Sequence, residues 1–143
     1  MRTRLVHVAL LAGLAPLVAA CASGSDSAGN TAGARTVHVN MRDNAYSPDH
    51  IAIRRGETVR FVFRNMGKVA HDAVLGNEKA QSDHEMEMSS GSAMHHGGGD
   101  AVTADPGKTA TLTHTFRSGG DLLIGCHELG HYAAGMKLTI DVA

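Results

Sequence analysis

Apolar and polar residues alternate along much of the chain after about residue 36. The clearest run places Val59, Phe61 and Phe63 on one side and mostly charged neighbours on the other. This period of two is typical of a strand with one buried face. Similar stretches predict further short strands at residues 36–42, 51–53, 69–75, 109–116, 121–126 and 137–142. Turn-forming residues separate them, so the sequence predicts an all-β protein of about seven to eight strands, folded as a Greek-key β-sandwich or barrel.

Residues 77–100, here called the insert, interrupt this pattern without a single Val, Leu, Ile, Phe or Tyr. We therefore expect a long exposed loop. Soft metal ligands are concentrated in it, and they suit the capture of Cu(I) or Cu(II) at a second, labile site. The alternative is a disordered polar loop without a metal. The candidate ligands of the labile site are His84, Met86, Met88, Met94, His95 and His96.

The N-terminal residues have the pattern of an export signal. Residues 1–20 combine a basic start with an apolar stretch too short to span a membrane comfortably, and they end in small residues. The run Val18-Ala19-Ala20-Cys21 resembles a bacterial lipobox, which predicts cleavage before Cys21 and its lipidation. A plain secretory signal is the alternative. Residues 22–34 contain no large apolar side chain and predict a flexible tether, followed by one folded domain at 35–143. We expect an exported, membrane-anchored lipoprotein on the periplasmic or extracellular face.

The amino-acid composition excludes several classes of function. The 143 residues exclude a multidomain enzyme, and the absence of Trp, with three Phe and two Tyr, predicts a mostly aliphatic core. The formal charge is −1, which becomes −3 when Arg2 and Arg4 leave with the leader, and no basic patch indicates nucleic acid binding. Ten His and seven Met beside two Cys are a surplus of copper-type ligands.

The segment between the last two predicted strands spaces Cys126, His131 and Met136 as C-x-x-x-x-H-x-x-x-x-M. A loop anchored at both ends by neighbouring strands can bring a thiolate, an imidazole and a thioether around one point. His71, at the end of an earlier strand, is the natural second imidazole. Two His nitrogens, one Cys sulfur and a weak axial Met form the trigonal site of electron-transfer copper proteins. With Cys21 taken by lipid, Cys126 has no internal disulfide partner.

On these residues the region 36–142 resembles the cupredoxin family, the plastocyanin- and azurin-like blue copper proteins. In that family a His lies several strands before a terminal Cys, His, Met loop, and His71, Cys126, His131 and Met136 match it in order. The resemblance implies a cupredoxin-like fold holding one type 1 copper ion. Small exported bacterial copper-tolerance cupredoxins are the most similar in kind, since they share a His-Tyr-x-x-Gly-Met ending and a Met/His-rich insert.

Two positions depart from the family pattern. Leu129 stands where many relatives have Pro, and Asp72 stands where Asn is frequent. Both positions flank ligands, so these departures concern the reduction potential and the hydrogen bond to the cysteine sulfur more than ligation.

The run from His127 to His131 also matches H-E-x-x-H, the zinc metalloprotease pattern. That chemistry requires both His on one helix face, a Glu base and a third protein ligand further along. Only 12 residues follow His131, none of them His or Glu, and Gly130 and Gly135 weaken a helix. A small zinc metallohydrolase that uses this motif is the alternative function, but its expected helix and third ligand are missing from the sequence. Under the copper hypothesis His127 is a loop residue, exposed near the metal.

Two uses of a copper site remain open. An electron carrier would dock its partner beside an exposed imidazole, for which the resemblance points to His131. A copper-tolerance protein would sequester or deliver copper, and the insert favours this use. No catalytic constellation indicates an enzyme. The expected partners are copper ions, a redox or copper-transfer protein, and the membrane through the lipid. We expect His38, His50 and His114 to be structural or solvent-facing.

Overall fold

The computed structural model describes residues 33–90 and 100–143. In that part of the chain, nine strands and one helix form. All seven predicted strands are present, with ends that differ from the prediction by two residues at most. The elements are β1 (Arg35–Arg42), β2 (Ala45–Ser47), β3 (His50–Ile53), β4 (Thr58–Asn65), β5 (His71–Gly76), α1 (Glu78–Ser89), β6 (Ala101–Ala104), β7 (Thr109–Thr115), β8 (Gly120–Gly125) and β9 (Lys137–Val142).

The strands form two sheets. One has the order β2-β1-β4-β7 and the other the order β3-β9-β8-β5-β6. The β1–β4 and β3–β9 pairs are parallel, and the remaining pairs are antiparallel. Both sheets have edge strands and neither closes on itself. Of the two predicted architectures, the protein is therefore a sandwich and not a closed barrel.

The core lies between the two sheets and follows from the alternation in sequence. Val59, Phe61 and Phe63 of β4 are fully buried, and the ring centroids of the two Phe residues lie 5.9 Å apart. The other sheet contributes aliphatic side chains such as Ile124 and Leu138, neither of which is exposed to solvent. Burying each such side chain is worth about 1.5–3 kcal/mol. The expectation of a mostly aliphatic core with few aromatic residues is confirmed.

The structure corrects the prediction for the insert. Its first half is not an exposed loop, because Glu78–Ser89 form the helix α1. Asn77 caps this helix, and its side chain accepts a hydrogen bond from the backbone N–H of Ala80 at 2.9 Å. The buried side chains of the helix are Gln81 and His84. A helix that buries polar instead of apolar side chains has no hydrophobic periodicity, which explains why the sequence pattern did not predict it.

Several predictions fall on residues outside the described ranges. They are the leader at 1–20, the lipidation of Cys21, most of the tether at 22–34, and the copper ligands Met94, His95 and His96. Among the described residues, no helix has the length and apolar character needed to cross a membrane.

Candidate metal centre

The sheet topology brings the predicted ligands to one end of the sandwich. His71 is the first residue of β5, Cys126 directly follows β8, and Met136 directly precedes β9. The register pairs Val74 with Gly125 and Gly125 with Lys137, so the three neighbouring strands place these residues at a common edge. Residues 126–136, here called the ligand loop, connect β8 to β9 through turns and contain His131.

Three of the four predicted ligands converge. The Cys126 Sγ atom lies 3.8 Å from His71 Nδ1 and 3.5 Å from His131 Nδ1. One ligand atom from each residue lies within 4.8 Å of the other two. Bonds of about 2.0–2.3 Å from an ion to nitrogen and sulfur, spread at trigonal angles, separate ligand atoms by about 3.5–4 Å. The observed separations therefore fit a single metal ion.

The electrostatic environment of Cys126 is that of a buried thiol. Burial raises the pKa of Cys126 to about 12, although backbone hydrogen bonds to its sulfur act in the opposite direction. One of these bonds comes from the N–H of Asp72, at 3.4 Å. At neutral pH the thiol of the metal-free protein therefore keeps its proton. A metal ion that binds the thiolate must displace that proton.

His71 is completely buried, and its Nδ1 atom faces the sulfur. Burial and the neighbouring His131 lower the pKa of His71, against the opposing charge of Asp43. Its ring is therefore neutral at neutral pH, which is the form that binds metals. The Nε2 atom lies 3.6 Å from the Asp43 carboxylate and has no hydrogen-bond partner. Sequence reasoning missed Asp43, because nothing in its local pattern distinguishes it from an ordinary turn residue.

Met136 lies at the base of the ligand loop. Its side chain is fully buried. Its N–H donates to the carbonyl of His131 at 3.0 Å, and its own carbonyl accepts from the N–H of Cys126 at 3.2 Å. Gly135, with a φ of 91°, makes the tight turn that precedes it. These bonds close the loop on itself, and Met136 as the fourth ligand stays a prediction.

The structure corrects the expectation for His127. This side chain is not exposed near the metal but buried, with its Nε2 2.7 Å from Gln81 Oε1 and its Nδ1 2.5 Å from Glu85 Oε2. His131 instead belongs to the group with His71 and Cys126. The two His of the H-E-x-x-H pattern thus lie outside any helix, His127 in an irregular stretch and His131 on a turn, and in different environments. The zinc hydrolase alternative therefore finds no support.

Elsewhere in the described ranges, no second group of His, Cys or carboxylate side chains is close enough to hold a metal ion. His38 is exposed, while His50 and His114 contact Asp141 and Asp100 at 2.9 and 2.8 Å. These three residues have the structural or solvent-facing positions expected of them.

The described candidates for the labile copper site differ in their exposure to solvent. His84 is buried, with its ring centroid 4.6 Å from that of His127, which corrects its prediction as an exposed loop residue. Met86 is 63% exposed, whereas Met88 is half-buried.

Comparison with known proteins agrees with this geometry. The family described as copper binding proteins, plastocyanin/azurin family, matches residues 34–143. A protein of Pseudomonas aeruginosa named copper-resistant cuproprotein CopI is 31% identical over 137 residues, which cover 74% of this chain and 76% of the relative. The protein of the same name from Rubrivivax gelatinosus is 38% identical over 103 residues, covering 71% of this chain and 62% of the relative.

Solved structures show the same fold. Reduced auracyanin from Roseiflexus castenholzii superposes with a TM-score of 0.66 at 25% identity, covering 78% of this chain and 99% of the auracyanin chain. Auracyanin A of Chloroflexus aurantiacus, described as a blue copper protein, gives a TM-score of 0.63 at 21% identity, with 78% of this chain and 100% of that chain covered. The converging Cys and His ligands at the end of a two-sheet sandwich, together with a family match over the whole described domain, show that this chain belongs to the plastocyanin/azurin family of copper binding proteins.

Proposed function

We propose that this chain is an exported protein that binds one type 1 copper ion and acts in copper tolerance. His71, Cys126 and His131 would hold the ion, and Met136 would be its fourth, weak ligand. The observation that carries the proposal is the convergence of one sulfur and two imidazole nitrogens within 4.8 Å at the end of the sandwich. The thiolate, the thioether and the imidazoles are ligand types that hold copper in either oxidation state.

Each of these residues has a defined role. Together they would supply a site for one-electron copper chemistry. Cys126 supplies the thiolate, which burial shields from water and from thiol oxidation. His71, at the start of β5, has a neutral ring at neutral pH. His131 is half-buried and therefore partly open to solvent. Because the strands fix both ends of the ligand loop, we expect little rearrangement between oxidation states.

Copper tolerance is favoured by the two relatives compared above, both of which bear the name copper-resistant cuproprotein CopI and align over most of this chain. We assign the protein no enzymatic activity, because a copper oxidase would need further fixed copper centres and the described residues form one ligand group. Electron transfer is the second candidate function. It is favoured by Leu129, which is 99% exposed in the same loop as His131 and offers an apolar contact for a redox partner.

Two finer parts of the proposal concern the N-terminal cysteine and the insert. Lipidation of Cys21 would hold the protein at a membrane on the periplasmic or extracellular face. The insert would bind labile copper through Met86, Met88, Met94, His95 and His96. Its test is substitution of the three Met by Leu and the two His by Ala, because deletion would also remove the helix. Unchanged copper stoichiometry and unchanged tolerance would refute the labile site.

The primary site is tested by visible absorption and EPR spectra after addition of Cu(II). Wild type is expected to show an intense thiolate-to-copper band that Cys126→Ser abolishes. His38→Ala is the control, since this exposed histidine lies outside the site. Tight zinc binding that depends on His127 and His131, with no thiolate band, would overturn the proposal. Cells that lack the protein should be sensitive to copper, and wild type but not Cys126→Ser should restore their tolerance. Unchanged copper tolerance in cells that lack the protein would favour electron transfer instead.

A further inference from the structure

The three ligands of the ligand loop are spaced five residues apart, and each is directly followed by a side chain that reaches α1. His127 follows Cys126, Tyr132 follows His131, and Lys137 follows Met136. His127 contacts Gln81 and Glu85 at 2.7 and 2.5 Å, the Tyr132 hydroxyl donates to Glu78 at 2.9 Å, and Lys137 Nζ lies 3.9 Å from the Glu78 carboxylate.

The helix presents these partners on one face. Glu78, Gln81 and Glu85 are separated by three and four residues, the spacing of side chains on the same side of an α-helix. The Gln81 amide is itself fixed, because its Nε2 donates to the carbonyls of Val74 in β5 and Leu123 in β8, at 2.9 and 3.3 Å. Its Oε1 is therefore the acceptor for the Nε2–H of His127, whose other ring nitrogen, Nδ1, lies 2.5 Å from the Glu85 carboxylate.

The three residues that follow the ligands, His127, Tyr132 and Lys137, also contact one another. The Tyr132 ring stacks on His127, with centroids 4.7 Å apart and an interplanar angle of 15°. Lys137 Nζ lies 3.9 Å from the Tyr132 ring centroid, on the geometry of a cation–π contact. Gly125 provides the room for this stack, since a Cβ there would lie 2.5 Å from Gln81 Oε1 and 2.8 Å from the Tyr132 ring.

We propose that α1 is a clamp that positions the copper ligands through the residue that follows each of them. His127, Tyr132 and Lys137 are positioning residues, and they bind no metal in this role. The proposal rests on the proposed copper site. It gives the first half of the insert a function distinct from copper capture, because Gln81 and Glu85 contact the ligand loop while Met86 is exposed to solvent.

The physical reason is that a loop ligand binds tightly only if its position is set before the metal arrives. Contacts with the helix already order the ligand loop in the metal-free folded protein. Less conformational entropy is therefore lost when the metal binds. The contact is non-local, since 42 and 46 residues separate His127 from its two partners. The buried His127 makes both of its ring hydrogen bonds to α1.

The test uses the full-length copper-loaded protein and three variants. His127→Phe keeps a ring to stack on Tyr132 but removes both hydrogen bonds, Glu85→Gln removes the carboxylate charge, and Tyr132→Phe removes the hydroxyl. Asp83→Asn is the matched control, because this carboxylate pairs at the surface with Lys79 on the same helix. The measurements are the Cu(II) EPR spectrum, the reduction potential and the rate of copper loss to a chelator.

In His127→Phe we expect copper loss to accelerate by about tenfold or more, the usual effect of removing a residue that supports a ligand. We also expect a shifted potential and an altered EPR spectrum. Glu85→Gln and Tyr132→Phe should show smaller changes in the same direction, and Asp83→Asn none. Because Glu85 acts through His127, the double variant that combines His127→Phe with Glu85→Gln should lose copper no faster than His127→Phe alone.

A metal-free measurement separates this proposal from the proposed function. Amide hydrogen exchange of residues 126–136 in the apoprotein should be faster in His127→Phe than in wild type. If wild type bound no copper, the proposed function would fail while the exchange experiment still tested the clamp. Normal copper spectra in wild type, with all readouts of the variants equal to those of Asp83→Asn, would overturn the clamp. If His127→Phe does not fold, Glu85→Gln and Tyr132→Phe carry the test.

Discussion

The backbone N–H of Asp72 donates a hydrogen bond to the sulfur of Cys126, at 3.4 Å. The donor belongs to the main chain, so this bond does not depend on whether Asp or Asn occupies the position. The Asp72 side chain makes a separate contact, since its carboxylate accepts from the Thr103 hydroxyl at 2.7 Å, while its backbone carbonyl accepts from Tyr46. The departure from Asn at this position therefore changes a charge near the sulfur and leaves the hydrogen bond in place.

Asp72→Asn tests this distinction. The variant should keep the thiolate-to-copper band, since the N–H donor remains. Its reduction potential should rise, because the buried negative charge near the sulfur stabilises Cu(II) more than Cu(I). A redox titration measures the change, with the exposed Asp121→Asn as control. A lower potential, or loss of the band, would contradict the assignment.

Met136→Leu tests whether Met136 is the fourth ligand. Leu has a similar volume, so the free energy of unfolding should fall by less than about 1.5 kcal/mol. Loss of the thioether should raise the reduction potential, because a weak donor to Cu(II) is removed. Met41→Leu is the matched control, since Met41 is equally buried but lies in the other sheet. Equal potentials in the two variants would show that Met136 is only a core residue.

Gly67→Ala tests the packing over His71. A Cβ at this position would lie 2.6 Å from His71 Nε2 and against the Asp43 carboxylate. Because His71 is fully buried and cannot move freely, we expect a loss of about 1–3 kcal/mol in the free energy of unfolding, and weaker copper binding. Chelator competition and thermal unfolding measure these effects. A Cβ at Gly33 would meet open space, so Gly33→Ala should change neither stability nor copper binding. The absence of both effects in Gly67→Ala would refute the prediction.

Glu57→Gln tests a charge far from the metal centre. Burial opposes the ionisation of Glu57, but hydrogen bonds from the Arg54 N–H and the Arg35 guanidinium outweigh it and lower the pKa of Glu57. A carboxyl whose pKa is lowered in the folded state stabilises the protein above its unfolded pKa, and the effect disappears as the pH falls through the folded value. The pair is partly exposed, so it should be worth less than about 1 kcal/mol.

Denaturant unfolding of wild type and Glu57→Gln over a pH series measures this. Wild type should be the more stable at neutral pH, and the difference should vanish in acid. Asp105→Asn, an exposed turn residue, is the control. A difference that persists unchanged into strong acid would show that the effect of Glu57 is not electrostatic.

The seven predicted strands could be recognised from sequence, because burial of one face imposes a period of two on the chain itself. The three ligands of the loop were equally visible, since their spacing is local and two strands anchor the loop. Two elements carried no such signal. The three residues of β2 bury a single side chain, and the four residues of β6 do not alternate between buried and exposed positions.

Local patterns of side chains are thus enough to predict an all-β sandwich or barrel and the types of copper ligand. The surroundings of those ligands follow from the packing of the folded chain instead. Asp43 beside His71, and α1 against His127, are contacts between residues far apart in the chain. Such contacts depend on how the elements pack, and polar helix residues such as Gln81 reveal their partners only when a folded neighbour supplies the donors and acceptors.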